Sequence, residues 1–278
     1  MTATVAERPP TRRMKFRPPS EFLFSVIALL VATIVVQAIY ALHVRPIAQA
    51  LMEKDRVQIQ NDPAYVSERS LYIIIKDYEQ EAEIVLMLWA LAILGFRARE
   101  QTYERRLLEA EIINLSDGMK ILPEDTREYS RQLENLPPTD RDRLVPRALL
   151  AALARFGATR NITDVSTVAH GLCQAEADRL DSELSMLRYI AWAIPAIGFI
   201  GTVRGIGDAL SQAHKAVSGD IFGVTEGLGV AFNSTLVALL LSILLMFLLQ
   251  ALQRKQERLV MDTETYLDQR IIRNMQTR

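Results

Sequence analysis

Phe22 to Leu42 (FLFSVIALLVATIVVQAIYAL) contains no charged residue, and a helical run of about 20 residues crosses a hydrocarbon core of about 30 Å. Inside lipid a segment must satisfy its own backbone hydrogen bonds, so the run reads as a transmembrane helix and the chain as a membrane protein. The tail before it is basic (Arg8, Arg12, Arg13, Lys15, Arg17), and Ala48-Gln49-Ala50 has the small-x-small form of a signal-cleavage site. The apolar run exceeds the roughly 7–15 residues of a signal-peptide core, and the triplet lies well beyond it, behind Pro46. A retained anchor is therefore expected.

Further candidate spans follow. Ile84 to Phe96 is short, but Glu81 and Glu83 are placed to reach the outer interface while Arg97 and Arg99 hold the inner one. Tyr189 to Leu210 and Leu228 to Gln250 are long enough without such help, apart from Arg204 and Asp208. The expected fold is an all-α membrane protein with four transmembrane helices and long cytoplasmic helical extensions. Its parts are a cytoplasmic basic tail (1–21), helix 1 (22–42), an outer loop (43–82), helix 2 (83–97), a cytoplasmic helical region (98–188), helix 3 (189–210), an outer loop (211–227), helix 4 (228–250) and a cytoplasmic helical tail (251–278). Arginine after the second span (Arg97, Arg99, Arg105, Arg106) and basic residues after the fourth (Arg254, Lys255, Arg258) join the basic tail in marking one side as cytoplasmic. Both termini are expected there.

Within 98–188 the middle is broken by Pro123, Pro137, Pro138 and Pro146, which suits a loop. The flanks, Arg97 to Asn114 and Asp164 to Arg188, have helical periodicity and read as membrane helices prolonged below the bilayer. Leu252, Leu259 and Tyr266 recur at heptad spacing and prolong the fourth helix similarly. Asn161-Ile162-Thr163 matches a glycosylation sequon, but its expected cytoplasmic position makes the match a chance one.

Signs of enzyme chemistry are absent from the sequence. A formal net charge of -1 gives no reason to expect nucleic acid. Cys173, the single cysteine, excludes an internal disulfide and a cysteine-based zinc cluster. His43, His170 and His214 are scattered, and no phosphate-binding loop, nucleophile elbow or dinucleotide fingerprint occurs. No cofactor, metal or catalytic residue is expected.

The informative residues are those inside the apolar spans. Pro195, Gly198, Thr202 and Gly205 fall three or four apart on the third helix, with Gly201-x-x-x-Gly205 as a close-approach motif. Thr235, Ala238 and Ser242 form a comparable ridge on the fourth, with Asn233 and Ser234 beside it. Such faces let helices pack; two of them on consecutive helices also make a hydroxyl-lined surface that supports water without holding charge.

The stretches AIPAIGFIGTVRGIGDAL and VTEGLGVAFNSTLVALLLSILLMFLL resemble the paired pore helices of the MotA/TolQ/ExbB proton-channel family, over roughly 189–250. The resemblance implies an ion-motive-force motor stator of the bacterial inner membrane. In that family a homopentamer surrounds the transmembrane helices of a TolR/ExbD/MotB-like partner, a single-span protein that supplies an ionisable aspartate. By motif position the family's pore threonines correspond to Thr202 and Thr235, with Ser234 and Asn233 as adjoining ion-path candidates. Arg204 departs from the family pattern, which often has a large apolar residue there. Four spans and the outer loop 43–82 also depart from the plan of the TolQ/ExbB branch.

Arg204 itself has two readings. Four residues before Asp208, it is placed for an ion pair at the outer pore mouth; alternatively it snorkels to the outer headgroups while Asp208 caps the helix. The alternative to a channel is a membrane scaffold or sensor that conducts nothing and whose small faces only pack.

Overall fold

The computed structural model describes residues 20–61, 70–110, 112–113 and 120–277. The basic tail through residue 19, Asn114, and residues 62–69 of the expected outer loop lie outside them.

Every regular element among the described residues is helical. Helix α1 (Ser20–Ile39) passes through a π-turn (Tyr40–Val44) into α2 (Arg45–Asn61), so the start of the expected outer loop is the same rod continued. After the single turn α3 (Leu71–Ile74) the chain returns in α4 (Tyr78–Glu109), antiparallel to α1. The Trp89 indole donates to the Ser25 carbonyl at 2.9 Å, and the Phe24 and Phe96 rings stack at 4.9 Å. At the other end Val36, Tyr40 and Val44 bury themselves against Ile84 and Val85.

Short helices α5 (Thr126–Glu134) and α6 (Pro138–Arg141) lead to α7 (Leu144–Thr159). The last is a correction to the loop expected around Pro146: this proline sits in the first helical turn, where the missing N–H would have no intrahelical partner anyway. Ala148, Leu149, Ala152, Leu153 and Phe156 then bury an apolar stripe. Arg160, left-handed at φ 51°, ends α7, and Asn161 opens α8 (Ile162–Glu183) by accepting the Thr163 N–H at 3.0 Å. The sequon-like triplet is thus a helix cap. A turn at Leu184 separates α8 from α9 (Ser185–Ser211), and α10 (Ala213–Val217) precedes α11 (Phe222–Tyr266).

Two main cores result. Met87, Ala90, Ile93 and Leu94 of α4 meet Leu187, Ile190 and Ile194 of α9 and Ala238, Leu245 and Leu249 of α11. The other gathers α7, α8 and the end of α11 around Phe156, Val165, Cys173, Val260 and Leu267. It is closed by Ile121, whose N–H donates to Asn274 at 2.8 Å and whose carbonyl accepts from Gln276 at 3.0 Å.

By length and composition three helices are able to cross a membrane, within Phe22–Ile59, Ile162–Ser211 and Phe222–Asn274. Helix α4, expected as a further span, is not among them. Its apolar stretch Ile84 to Phe96 covers only about 20 Å at helical rise, and acids precede it. It is nevertheless packed along α1, α9 and α11.

Candidate functional site

The small faces of α9 and α11 meet. A Cβ on Gly198 would collide with the Ala238 side chain, and one on Gly205 would come within 2.5 Å of both the Ala231 nitrogen and the Gly227 carbonyl. Gly227 is the reciprocal, 2.6 Å from the Ala209 nitrogen. Backbones this close exclude any side chain larger than hydrogen, the arrangement that small-x-x-x-small spacing provides in lipid. Further along the seam Ser242 Oγ donates to the Ala191 carbonyl at 3.0 Å. Pro195 is half-buried within α9.

The hydroxyls lie in the same seam. Thr202 and Thr235 hydrogen-bond to each other across it. Thr202 Oγ1 is also 3.2 Å from the carbonyls of Gly198 and Ala231, and Thr235 Oγ1 donates to Gly198 at 3.2 Å. The next two positions back along α11 turn away by about 100° each, as helical geometry requires. Ser234 is fully buried, donates to Val230 at 2.8 Å and receives the Gln80 amide of α4 at 3.4 Å. Asn233 points instead into a cavity of about 210 Å³ formed with Met52, Ile59, Lys76, Asp77 and Glu226. Of the ion-path candidates, then, Thr202 and Thr235 touch, Ser234 backs onto α4, and Asn233 stands apart.

Arg204 has a partner that spacing could not reveal. Its Nε and one terminal nitrogen each donate to the Glu79 carboxylate at 2.7 Å. Asp208 is a secondary neighbour at 3.7 Å. The main ion pair at this end of the bundle therefore joins α9 to α4, and the helix-local pair is its fringe. The side chain of Arg204 is 40 % exposed, that of Glu79 10 %.

The acids expected to reach outward from α4 are buried. Glu81 pairs with Arg45 at the head of α2, whose guanidinium also lies 4.4 Å from the Tyr78 ring centroid. Glu83 is wholly buried. The sequence held one sign of this placement: Glu79 and Glu83 stand four apart, in register with the apolar Met87 and Ala90 that face the core.

Beyond the other end of the apolar stretch of α4, Arg97 pairs with Glu183 of α8 at 2.6 Å. Glu176 takes Arg147 at 2.6 Å and Arg179 at 2.5 Å. Burial acts to raise the Glu176 carboxyl, but hydrogen bonds and charge from these arginines outweigh it and hold it below the ordinary carboxylate value. Glu104, also buried, receives the Leu144 N–H at 3.3 Å, and burial pushes its carboxyl up. Among the described residues no group of three or more His, Cys, Asp or Glu side chains is placed to hold a metal ion.

Fold and seam together define a helical-bundle membrane protein in which α9 and α11 close over paired hydroxyls. Residues 141–265, from the end of α6 through nearly all of α11, match the model of the MotA/TolQ/ExbB proton channel family. The match reaches further toward the chain's start than the segment 189–250 picked out by the sequence resemblance, and it leaves α1 to α5 outside. No curated protein matches the chain.

Proposed function

We propose that this chain is the proton-conducting subunit of an ion-motive-force-driven membrane motor. It assembles as a ring, a homopentamer by family analogy, around a TolR/ExbD/MotB-like single-span partner that brings an ionisable aspartate. In this reading α4 is a fourth, thin-walled span, both termini are cytoplasmic, and the membrane is a bacterial inner membrane. Each proton moving down a potential releases about 2.3 kcal/mol per 100 mV, and a few of them are enough to turn one component within the other.

The observation that carries the reading is the Thr202–Thr235 hydroxyl contact at a glycine-tight seam within the family-matched segment. Each hydroxyl can donate and accept, so the pair is suited to steady a partner carboxylate or relay a proton through water. A second support is the uncovered apolar surface beside the seam: Phe199, Ile200 and Val203 on α9 and Phe232, Leu236 and Leu240 on α11 are exposed in the single chain. Lipid or further copies must cover it.

Proton flux into liposomes holding the purified complex at fixed potential is the test. Thr202→Val/Thr235→Val keeps side-chain volume while deleting both hydroxyls. The channel reading expects the complex to assemble and flux to collapse. Full flux in the double variant refutes the assignment of these hydroxyls to the conduction path, and no flux in the wild-type complex favours the scaffold alternative.

A further inference from the structure

One turn further into the bundle than the Arg204–Glu79 pair, the inward face of α4 carries an acid that no described residue satisfies. Glu83 is 0 % exposed, and neither of its carboxylate oxygens has a hydrogen-bond partner. Gln80 beside it is also 0 % exposed; its amide nitrogen reaches Ser234, while its oxygen is unpartnered. Across α4, the Tyr40 hydroxyl is buried without a partner, and its side chain packs with Ile84 and Val85.

The order of groups along the bundle follows from helical rise. A Cβ on Gly201 would lie 2.5 Å from Ser234 Oγ and 3.0 Å from Glu79 Cγ, which puts Glu79, Gly201 and Ser234 at one level. Glu83 is four residues on, about 6 Å deeper. From the outer end inward the polar groups run as Arg204, then a layer of Glu79 with the hydroxyls of Ser234, Thr202 and Thr235, and then Glu83.

Its charged neighbours are already engaged. Arg204 and Asp208 of α9 are taken up with Glu79 and one another. Arg45 at the head of α2 is on Glu81. Helix α1 offers Tyr40, and α11 brings no titratable side chain between Glu226 and Arg254. An ionised carboxylate isolated in apolar surroundings is strongly disfavoured, and an acid kept inside a membrane bundle is characteristically one that gains and loses a proton.

We propose that Glu83 is a proton-binding site that the chain itself contributes to the ion path, in addition to the carboxylate brought by the partner. The inference rests on the channel reading for its role, though not for its chemistry: the carboxylate and a hydronium ion give a carboxylic acid and water, and the reverse step restores them. Glu83 lies outside the matched segment 141–265, so the site is distinct from the pore-helix motif of α9 and α11.

The test uses membranes containing the full-length chain with its partner, treated with the lipid-soluble dicyclohexylcarbodiimide, which attacks protonated carboxyls in apolar surroundings. Peptide mass spectrometry is expected to find the adduct on Glu83, rising by about tenfold for each pH unit of acidification above the group's titration point, as a single protonation requires. No adduct, or an adduct independent of pH, overturns the proposal. In flux assays Glu83→Gln is expected to assemble yet lose proton transfer by about a hundredfold, with Glu83→Asp retaining part of it; undiminished flux in Glu83→Gln also overturns the proposal. Should that variant fail to assemble, the wild-type labelling decides. Wild-type vesicles that conduct nothing while Glu83 labels with the expected pH dependence sink the channel reading and leave the proton site standing.

Discussion

Removing the Arg204 guanidinium strips the buried Glu79 carboxylate of its counter-charge, and breaking such a pair on one side costs on the order of 3 kcal/mol. Arg204→Ala and Glu79→Ala are therefore expected to lower the melting temperature of the detergent-solubilised protein, and the exchange Arg204→Glu/Glu79→Arg to recover part of the loss. Asp208→Ala, at an exposed carboxylate 3.7 Å from the same arginine, should cost no more than about 1 kcal/mol. Equal losses in Asp208→Ala and Glu79→Ala would contradict the assignment of Glu79 as the principal partner. Cys173 supplies a second residue-level prediction. Burial pushes its thiol from 9.0 up to about 11, so at neutral pH it stays protonated and shielded, and alkylating reagents should label it only after denaturation. The sign on stability follows: as pH rises through 9 to 11 the unfolded chain releases this proton first, and the folded state loses stability. Rapid labelling of the native protein would contradict the buried placement of α8.

At the scale of elements, the tight seam between α9 and α11 makes neighbouring glycines unequal. Gly205→Ala forces a methyl against the Ala231 backbone, whereas nothing lies within 4 Å of a Cβ on Gly207. The first substitution should reduce folded yield and proton flux together. The second should be tolerated, and by helix propensity it stabilises by up to about 1 kcal/mol. Comparable loss in both would mean that the two helices do not approach as closely as described. This seam was readable in the sequence because Gly198, Thr202 and Gly205, like Thr235, Ala238 and Ser242, repeat at the period of a single helix face. The partner of Arg204 was not readable, since Glu79 is distant in the chain and only the return of α4 against α9 brings it near. For the same reason Glu81 and Glu83 looked like interfacial flanks: periodicity places them on a helix but does not say what covers it. Helix α7 was obscured by Pro146, a residue whose meaning depends on whether it falls in a first turn or an interior one.

Taken whole, the molecule offers a topology that reporter fusions at Thr11 and Arg278 can check. With α1, α4, α9 and α11 all crossing, both fusions should report the cytoplasm; opposite sides would remove α4 as a span and leave the three crossings that composition alone supports. The channel reading also gives mechanical meaning to the differing continuity of α11 and of the path through α8 and α9. Helix α11 runs without a break for 45 residues, a rod of about 68 Å, whereas the path through α8 and α9 is jointed at Leu184. A tilt of about 5° at the outer end of a rod that long sweeps its far end through about 6 Å. On that reading α11 is built as a lever, so a small displacement set by a proton at the seam arrives enlarged at the far end of the bundle.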